Sequence, residues 1–395
     1  MQLVAYGAQD IYLTGNPQIT FFKVVYRRHT NFSMESIEQT FNGTADFGRK
    51  VTVNVSRNGD LIHKCWLRAT LPAAGAGVNY ISEVGHYLIK SVEVEIGGQK
   101  IDKHYGHWLS IWSDLSEPAG KKSSYKQNMV GISNAKSVST DAIDRVVNVP
   151  LQFWFCRHAG LALPLIALQY HEVKFNVEFE SLTSLVYVGQ NVSGDGIDAN
   201  NDTISIHSLP TGSMSDVSIY VDYIYLDTEE RRRFAQISHE YLIEQLQFTG
   251  DETVSSNSRV KLNFNHPVKE LIWVLLDEGK ALDNSDDDRH NYSPITSAKL
   301  QLNGHDRFSE RQRDYFRYVQ PYQHHTNIPT KEINVYSFAL KPEEQQPSGS
   351  ANMSRIDNAT LQVTQDGDAE LIKVFATNYN VLRIMSGMGG LAYSN

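Results

Sequence analysis

Apolar side chains fall on every second position along much of this chain. Val173, Phe175, Val177 and Phe179 alternate with Lys174, Asn176 and Glu178, the period of a strand with one face buried and the other wet. Val51-Thr52-Val53-Asn54-Val55 and Val260-Lys261-Leu262-Asn263-Phe264 keep the same period. So do Ser91–Ile96 and Ser297–Leu302, which run into the tight turns Gly97-Gly98 and Asn303-Gly304. Such dipeptides supply the positive φ of a two-residue hairpin. Asn58-Gly59 reads the same way, as a turn between two paired strands with Gly59 at positive φ. Helical spacing is rare and best developed at His107–Leu115 and in the Glu/Arg-rich segment Thr228–Ala235.

The pattern occurs twice. Ile37-Glu38-Gln39 returns as Ile243-Glu244-Gln245, 206 positions on, and a turn glycine follows each, Gly43 and Gly250. The strand at Val51 returns after 209 positions and the strand at Ser91 after 206. Ile11-Tyr12-Leu13 is echoed by Ile224-Tyr225-Leu226, with Arg27-Arg28 and Arg231-Arg232-Arg233 downstream. Four matches in one order mean a tandem duplication whose second copy starts near Tyr241. Many short strands with Gly, Pro and Asn turns make each copy a sandwich or barrel. The expected layout is an N-terminal arm over 1–35, a first β domain over 36–226, a linker over 227–240 and a second β domain over 241–395. Ser113–Asn148, Leu185–Ser215 and Glu278–Ser293 are long polar inserts of the kind that face solvent or carry function.

Composition narrows the partners. A chain of 395 residues is too long for one ordinary core and suits two lobes. Its 41% hydrophobic content excludes global disorder, and 20 Tyr with 16 Phe favour strands. The balance of 36 basic against 45 acidic residues, net −9, runs against gripping phosphate backbones, so no direct nucleic-acid binding is expected. Cys65 and Cys156 read as two buried free thiols. Met1-Gln2-Leu3-Val4 has no basic leader and Asp10 interrupts any apolar stretch, so no signal peptide is expected. The apolar run Leu161–Leu168, broken by Pro164, is far short of a membrane span.

Catalytic motifs are missing: there is no Walker A, GxSxG, HExxH or dinucleotide-binding glycine pattern. His104-x-x-His107 lacks a third ligand nearby, and both histidines read as solvated or capping. His324-His325, in a Pro-bounded loop, reads as solvated too. Asp283 and Asp286-Asp287-Asp288 lack the spacing of a calcium loop. No catalytic residue, cofactor or metal is expected. Asn191-Val192-Ser193 and Asn201-Asp202-Thr203 are glycan-acceptor sequences in an exposed-looking loop, which makes Asn191 and Asn201 the candidate attachment sites. The loop Gly189–Met214 is expected to stand on an outer surface. Phe21, Phe22, Tyr26, Arg27 and Arg28 interleave basic and aromatic residues as a single-strand binder would. In an acidic chain they read instead as an arm packed beneath a neighbouring subunit.

One family accounts for these features together. Gln2-Leu3-Val4-Ala5-Tyr6-Gly7-Ala8-Gln9-Asp10, running into Tyr12–Lys23, resembles the major capsid proteins of large icosahedral double-stranded DNA viruses, with the strongest likeness to the algal chlorovirus type. Ser56-Arg57-Asn58-Gly59-Asp60-Leu61, Leu163–Val173, Asn378–Ile384 and Ser386–Tyr393 match as well, so the resemblance spans nearly the whole chain. It implies an all-β double jelly roll, two tandem eight-stranded antiparallel sandwiches with a few short helices in loops. It also implies a homotrimer of pseudo-hexagonal outline that meets neighbouring capsomers. The shell would lie over minor capsid proteins and an internal membrane, in a virion assembled in the host cytoplasm. The inserts look shorter than in the largest members, so tower shape and glycosylation do not carry over. Three other roles stay open: a minor capsid paralogue, a glycan- or receptor-binding jelly roll of the virion surface, and, more distantly, a jelly-roll glycosidase using two carboxylates.

Overall fold

Strands take the alternating segments, and they pair into two similar pairs of antiparallel sheets. The computed structural model of the chain describes residues 8, 31–73, 78–131, 145–188, 212–277, 292–367 and 369–393. The first lobe is built from β1 (Phe32–Thr40), β2 (Lys50–Asn54), β3 (Leu61–Leu71), β4 (Ile89–Ile96), β5 (Gln99–Tyr105), β6 (Arg145–Pro150), β7 (Val173–Phe179) and β8 (Ser215–Leu226). The second uses β9 (His239–Thr253), β10 (Asn257–Leu262), β11 (Pro267–Leu276), β12 (Ser297–Leu302), β13 (His305–Asp306), β14 (Asn334–Ser337), β15 (Ala359–Thr364) and β16 (Leu371–Met385). Sheet order is β1-β8-β3-β6 and β2-β7-β4-β5 in the first lobe, and β9-β16-β11-β14 and β10-β15-β12-β13 in the second. Adding eight to each strand of one lobe gives the order of the other. The alternation and the duplication predict two sandwiches, and the strand order in each is the jelly roll that the resemblance implies.

Each sandwich closes over its own core. Val173, Phe175, Val177 and Phe179 of β7 are at most 2% exposed, while Lys174, Asn176 and Glu178 lie on the wetter face. Facing them are Cys65, Leu67 and Ala69 of β3, all at 1% or less. In the second lobe Leu271, Trp273 and Leu275 of β11 meet Val260, Leu300 and Leu361 from the opposite sheet. The hairpin turns repeat as well. Gly97-Gly98 (φ 58 and 85) joins β4 to β5, and Asn303-Gly304 (φ 50 and 78) joins β12 to β13. Paired positive φ is the turn type whose twist suits a two-residue hairpin.

Asn58-Gly59 is a correction. It connects β2 to β3, which belong to different sheets, and Gly59 is not among the residues at positive φ. The glycine is required by space: a Cβ there would lie 2.8 Å from Cβ of Tyr223. Tyr223 is anchored by its hydroxyl, which donates to the Ser56 carbonyl at 2.6 Å. Ile224–Leu226 ends β8, and the sequence paired with it, Ile11–Leu13, lies outside the described residues.

Both helical segments form. α1 covers Gly106–Ser116, and α2 covers Thr228–Gln236 between the lobes. Asp227 caps α2, its carboxylate accepting from the amides of Glu229 (2.9 Å) and Glu230 (3.2 Å). β17 (Met388–Leu391) folds back on β16 and lies against the first lobe. There His171 Nδ1 accepts from the Gly389 amide at 3.1 Å, and Tyr170 N donates to the Gly387 carbonyl at 3.0 Å. Cys65 and Cys156 are buried free thiols. Among the described residues, no helix is long and apolar enough to cross a membrane.

Candidate functional site at the seam between the lobes

Helix α1 leaves the first lobe at the end of β5 and lies between the two sandwiches. Leu109 points back into the first core, whereas Trp108, Ile111, Trp112 and Leu115 pack on the second lobe. Their platform is the outward face of the sheet whose inward face lines the second core: Ile272 and Val274 of β11, Val335 of β14 and Phe375 of β16. All eight of these seam side chains are 4% exposed or less. At roughly 2 kcal/mol for each large apolar side chain buried, the four from α1 alone contribute on the order of 8 kcal/mol, an upper figure because unfolded chains are not fully extended. The lobes are therefore one block.

Charged groups lock this dry contact at its edges. Glu83, in the left-handed region at φ 55, lies 2.7 Å from Lys126 and 3.1 Å from Lys331 of the second lobe. Ser110 Oγ donates to it at 2.6 Å. Asp114 of α1 meets Lys126 (2.8 Å) and Lys122 (3.0 Å) and accepts from the amide and hydroxyl of Thr330, both at 3.0 Å. Burial alone would raise both carboxyls. The surrounding lysines outweigh it, holding Glu83 well below its usual range and Asp114 down to about 2. A non-glycine residue held at positive φ persists only where its surroundings over-determine it, and two lysines with a serine hydroxyl do so for Glu83.

A second ladder runs deeper. Arg157 of the first lobe, stacked 4.1 Å over Trp112, donates to Glu244 at 2.9 Å. Glu244 holds the fully buried Lys269 at 2.6 Å, and Lys269 donates to the Pro342 carbonyl at 2.7 Å. Next to it Glu270 stands 2.9 Å from His325, whose other nitrogen is 2.8 Å from Glu343. Burial would depress this imidazole, but Glu270 and Glu343 raise it to about 9. Alongside, Leu246 N donates to Asp102 at 3.0 Å, tying β9 to β5.

The histidines are corrections. His104 is 2% exposed, 2.9 Å from Asp102 and stacked on Phe153. His107 opens α1 half-buried, edge-on to Tyr87 and 3.3 Å from the Tyr292 hydroxyl. Of His324-His325, only His324 keeps solvent access, and the His325 side chain is fully buried. Asp102 lies two positions before His104 on the same strand, whereas the carboxylates beside His325, Glu270 of β11 and Glu343 of a loop, are brought in by the fold, which local spacing does not reveal. Among the described residues no cluster of three His, Cys, Asp or Glu side chains is arranged for a metal. Asn191, Asn201, Phe21, Phe22, Tyr26, Arg27, Arg28, Asp283 and Asp286–Asp288 lie outside the described residues. Sequence reading missed Glu83, Asp114, Arg157, Lys269 and Lys331 as a group. Glu244 alone carried a signal, in the repeated Ile-Glu-Gln.

Comparison with known proteins agrees with this architecture. Residues 20–227 match the family model described as major capsid protein N-terminus, and residues 230–390 the model described as large eukaryotic DNA virus major capsid protein. The chain is 57% identical to the major capsid protein of Pyramimonas orientalis virus and 43% identical to that of Paramecium bursaria Chlorella virus 1. Each alignment covers 100% of this chain and 99% of the relative. The protein in a quasi-atomic model of the PBCV-1 virus capsid superposes with a TM-score of 0.80 at 39% identity, over 95% of this chain and 100% of that one. The Faustovirus major capsid protein, at 14% identity and a TM-score of 0.76, shares the fold. The chain therefore belongs to the major capsid proteins of large eukaryotic DNA viruses, double jelly rolls that form the capsid shell of the virion.

Proposed function

We propose that the chain works as a homotrimeric capsomer of pseudo-hexagonal outline, the principal tile of its shell. The observation that carries this is the matched pair of lobes fixed by a dry seam. Three such blocks present six similar lobes, and a cyclic head-to-tail ring closes them without leaving an unmatched edge. A hinged pair of lobes would lose that geometry, and the buried seam supports a rigid one. The division into arm, two domains and linker serves the same reading. The arm, cut back from the expected 1–35 to residues 1–31 because β1 begins at Phe32, would lie inward, toward minor capsid proteins and a membrane, and the loop 189–214 outward, where sugars on Asn191 or Asn201 would be accommodated. Neighbouring capsomers are the remaining partners, and no catalytic role or nucleic-acid contact is assigned. Assembly would take place in the host cytoplasm. Size exclusion coupled to light scattering tests the trimer: three chain masses are expected, and a persistent single chain at micromolar concentration would refute it.

A further inference from the structure

The seam shows which surfaces meet when one lobe follows another, and the duplication places a second set of those surfaces on the outside. The exposed counterpart of α1 is the turn Tyr315–Val319 with α3 (Gln320–His324). Leu109 and Phe316, 207 positions apart, both point into their own cores. At the same offset Ile111, Trp112 and Leu115 correspond to Tyr318, Val319 and Tyr322. The first three are buried in the seam at 0–4% exposure, whereas the second three are 40%, 40% and 77% exposed.

The receiving face is duplicated too. Trp66 and Arg68 of β3 stand 206 positions before Ile272 and Val274, the platform residues of β11. Trp66 pairs across the sheet with Tyr220 of β8 and Pro150 of β6, as Ile272 pairs with Phe375 and Val335. In the second lobe α1 covers this face. In the first it carries a stacked Trp66–Tyr220 pair, rings 5.6 Å apart and 5° from parallel, with Arg68 3.4 Å from the Tyr220 hydroxyl. Val146, beside it on β6, is 42% exposed. The chemistry of the two faces differs as their histories would require. The part of the face that α1 covers within its own chain is aliphatic and aromatic: Ile272, Val274, Val335 and Phe375. A face that meets water before assembly is built from Trp, Tyr and Arg, which tolerate both states and dominate binding energy at interfaces.

We propose that Tyr318, Val319 and Tyr322 of one copy seat on the Trp66–Tyr220 face of the next, reproducing between chains the contact that α1 makes within one. This rests on the capsomer reading and names its contact. The contact is heterologous, so each copy uses one surface of each kind and a ring closes.

The test separates the two claims. Tyr318→Asp/Tyr322→Asp changes one surface and Trp66→Ala the other, with Val146→Asp replacing the latter if it fails to melt cooperatively. Light scattering should report three chain masses for wild type and one for each variant, with unchanged melting of the variant monomers. Mixing the two variant types should restore a two-chain species, because one intact pair of surfaces remains between them. A wild-type trimer with variants that still form trimers would overturn the surface and leave the capsomer standing. Monomeric variants that stay monomeric when mixed would also overturn it. A monomeric wild type would remove both.

Discussion

Raising the pH should loosen the protein through one histidine. His325 is buried between Glu270 and Glu343, and its proton is held to about 9 because the two carboxylates outweigh the cost of burying the charge. In the unfolded chain its pKa returns to 6.5. A folded pKa above the unfolded one stabilises the protein fully below pH 6.5. That contribution drains as pH rises from 6.5 and is gone above about 9. A gap of about 2.5 units at 1.36 kcal/mol each is about 3 kcal/mol. Unfolding entropy of about 2.1 cal/mol/K per residue gives about 0.8 kcal/mol/K for this chain, so the loss lowers Tm by about 4 °C. The control is His325→Gln with Glu270→Gln, which substitutes two neutral amides and leaves Lys269 and Glu244 in place. Calorimetric melts from pH 6 to 9.5 should show wild type losing about 4 °C more than the control. Curves parallel to within about 1 °C would show that the ion contact has no such role.

Other consequences follow from the same geometry. Lys331→Met should cost about 3–5 kcal/mol, because Glu83 and Asp114 lose a cation in a buried site; a loss below about 1 kcal/mol in a urea melt would show the network to be dispensable. Gly59→Ala should cost about 1–3 kcal/mol through the contact with Tyr223. Gly59→Asn should be no better tolerated than Gly59→Ala, and rescue by Asn, which accepts positive φ, would restore the hairpin reading.

Much of the fold was legible because strand burial is local. Alternation at Val173–Phe179 and the paired dipeptides Gly97-Gly98 and Asn303-Gly304 are consequences of near neighbours, so a linear reading finds them. The duplication was legible for the same reason, since both lobes need the same turns at the same places. Asn58-Gly59 misled because a glycine required by a distant side chain, Tyr223, looks in sequence like one required by φ. The seam was illegible for a deeper reason. His325 and Glu270, or Lys331 and Glu83, are set together by strand order and by the packing of α1 on another lobe. A polar residue in a Pro-bounded loop gives no sign that a carboxylate 55 positions earlier will neutralise it. Besides Glu244 in the repeated Ile-Glu-Gln, the platform residues Ile272 and Val274 carry a faint signal. β11 is buried on both faces, and its unbroken run Leu271–Leu276 departs from alternation where a helix will cover it.

The central claim is that two rigidly joined, similar lobes make a six-lobed tile. Electron microscopy of the purified protein tests it most directly. Class averages should show particles of threefold symmetry with six near-equivalent lobes in a hexagonal outline. Isolated two-lobed particles, or lobes that vary in their relative angle from particle to particle, would contradict it.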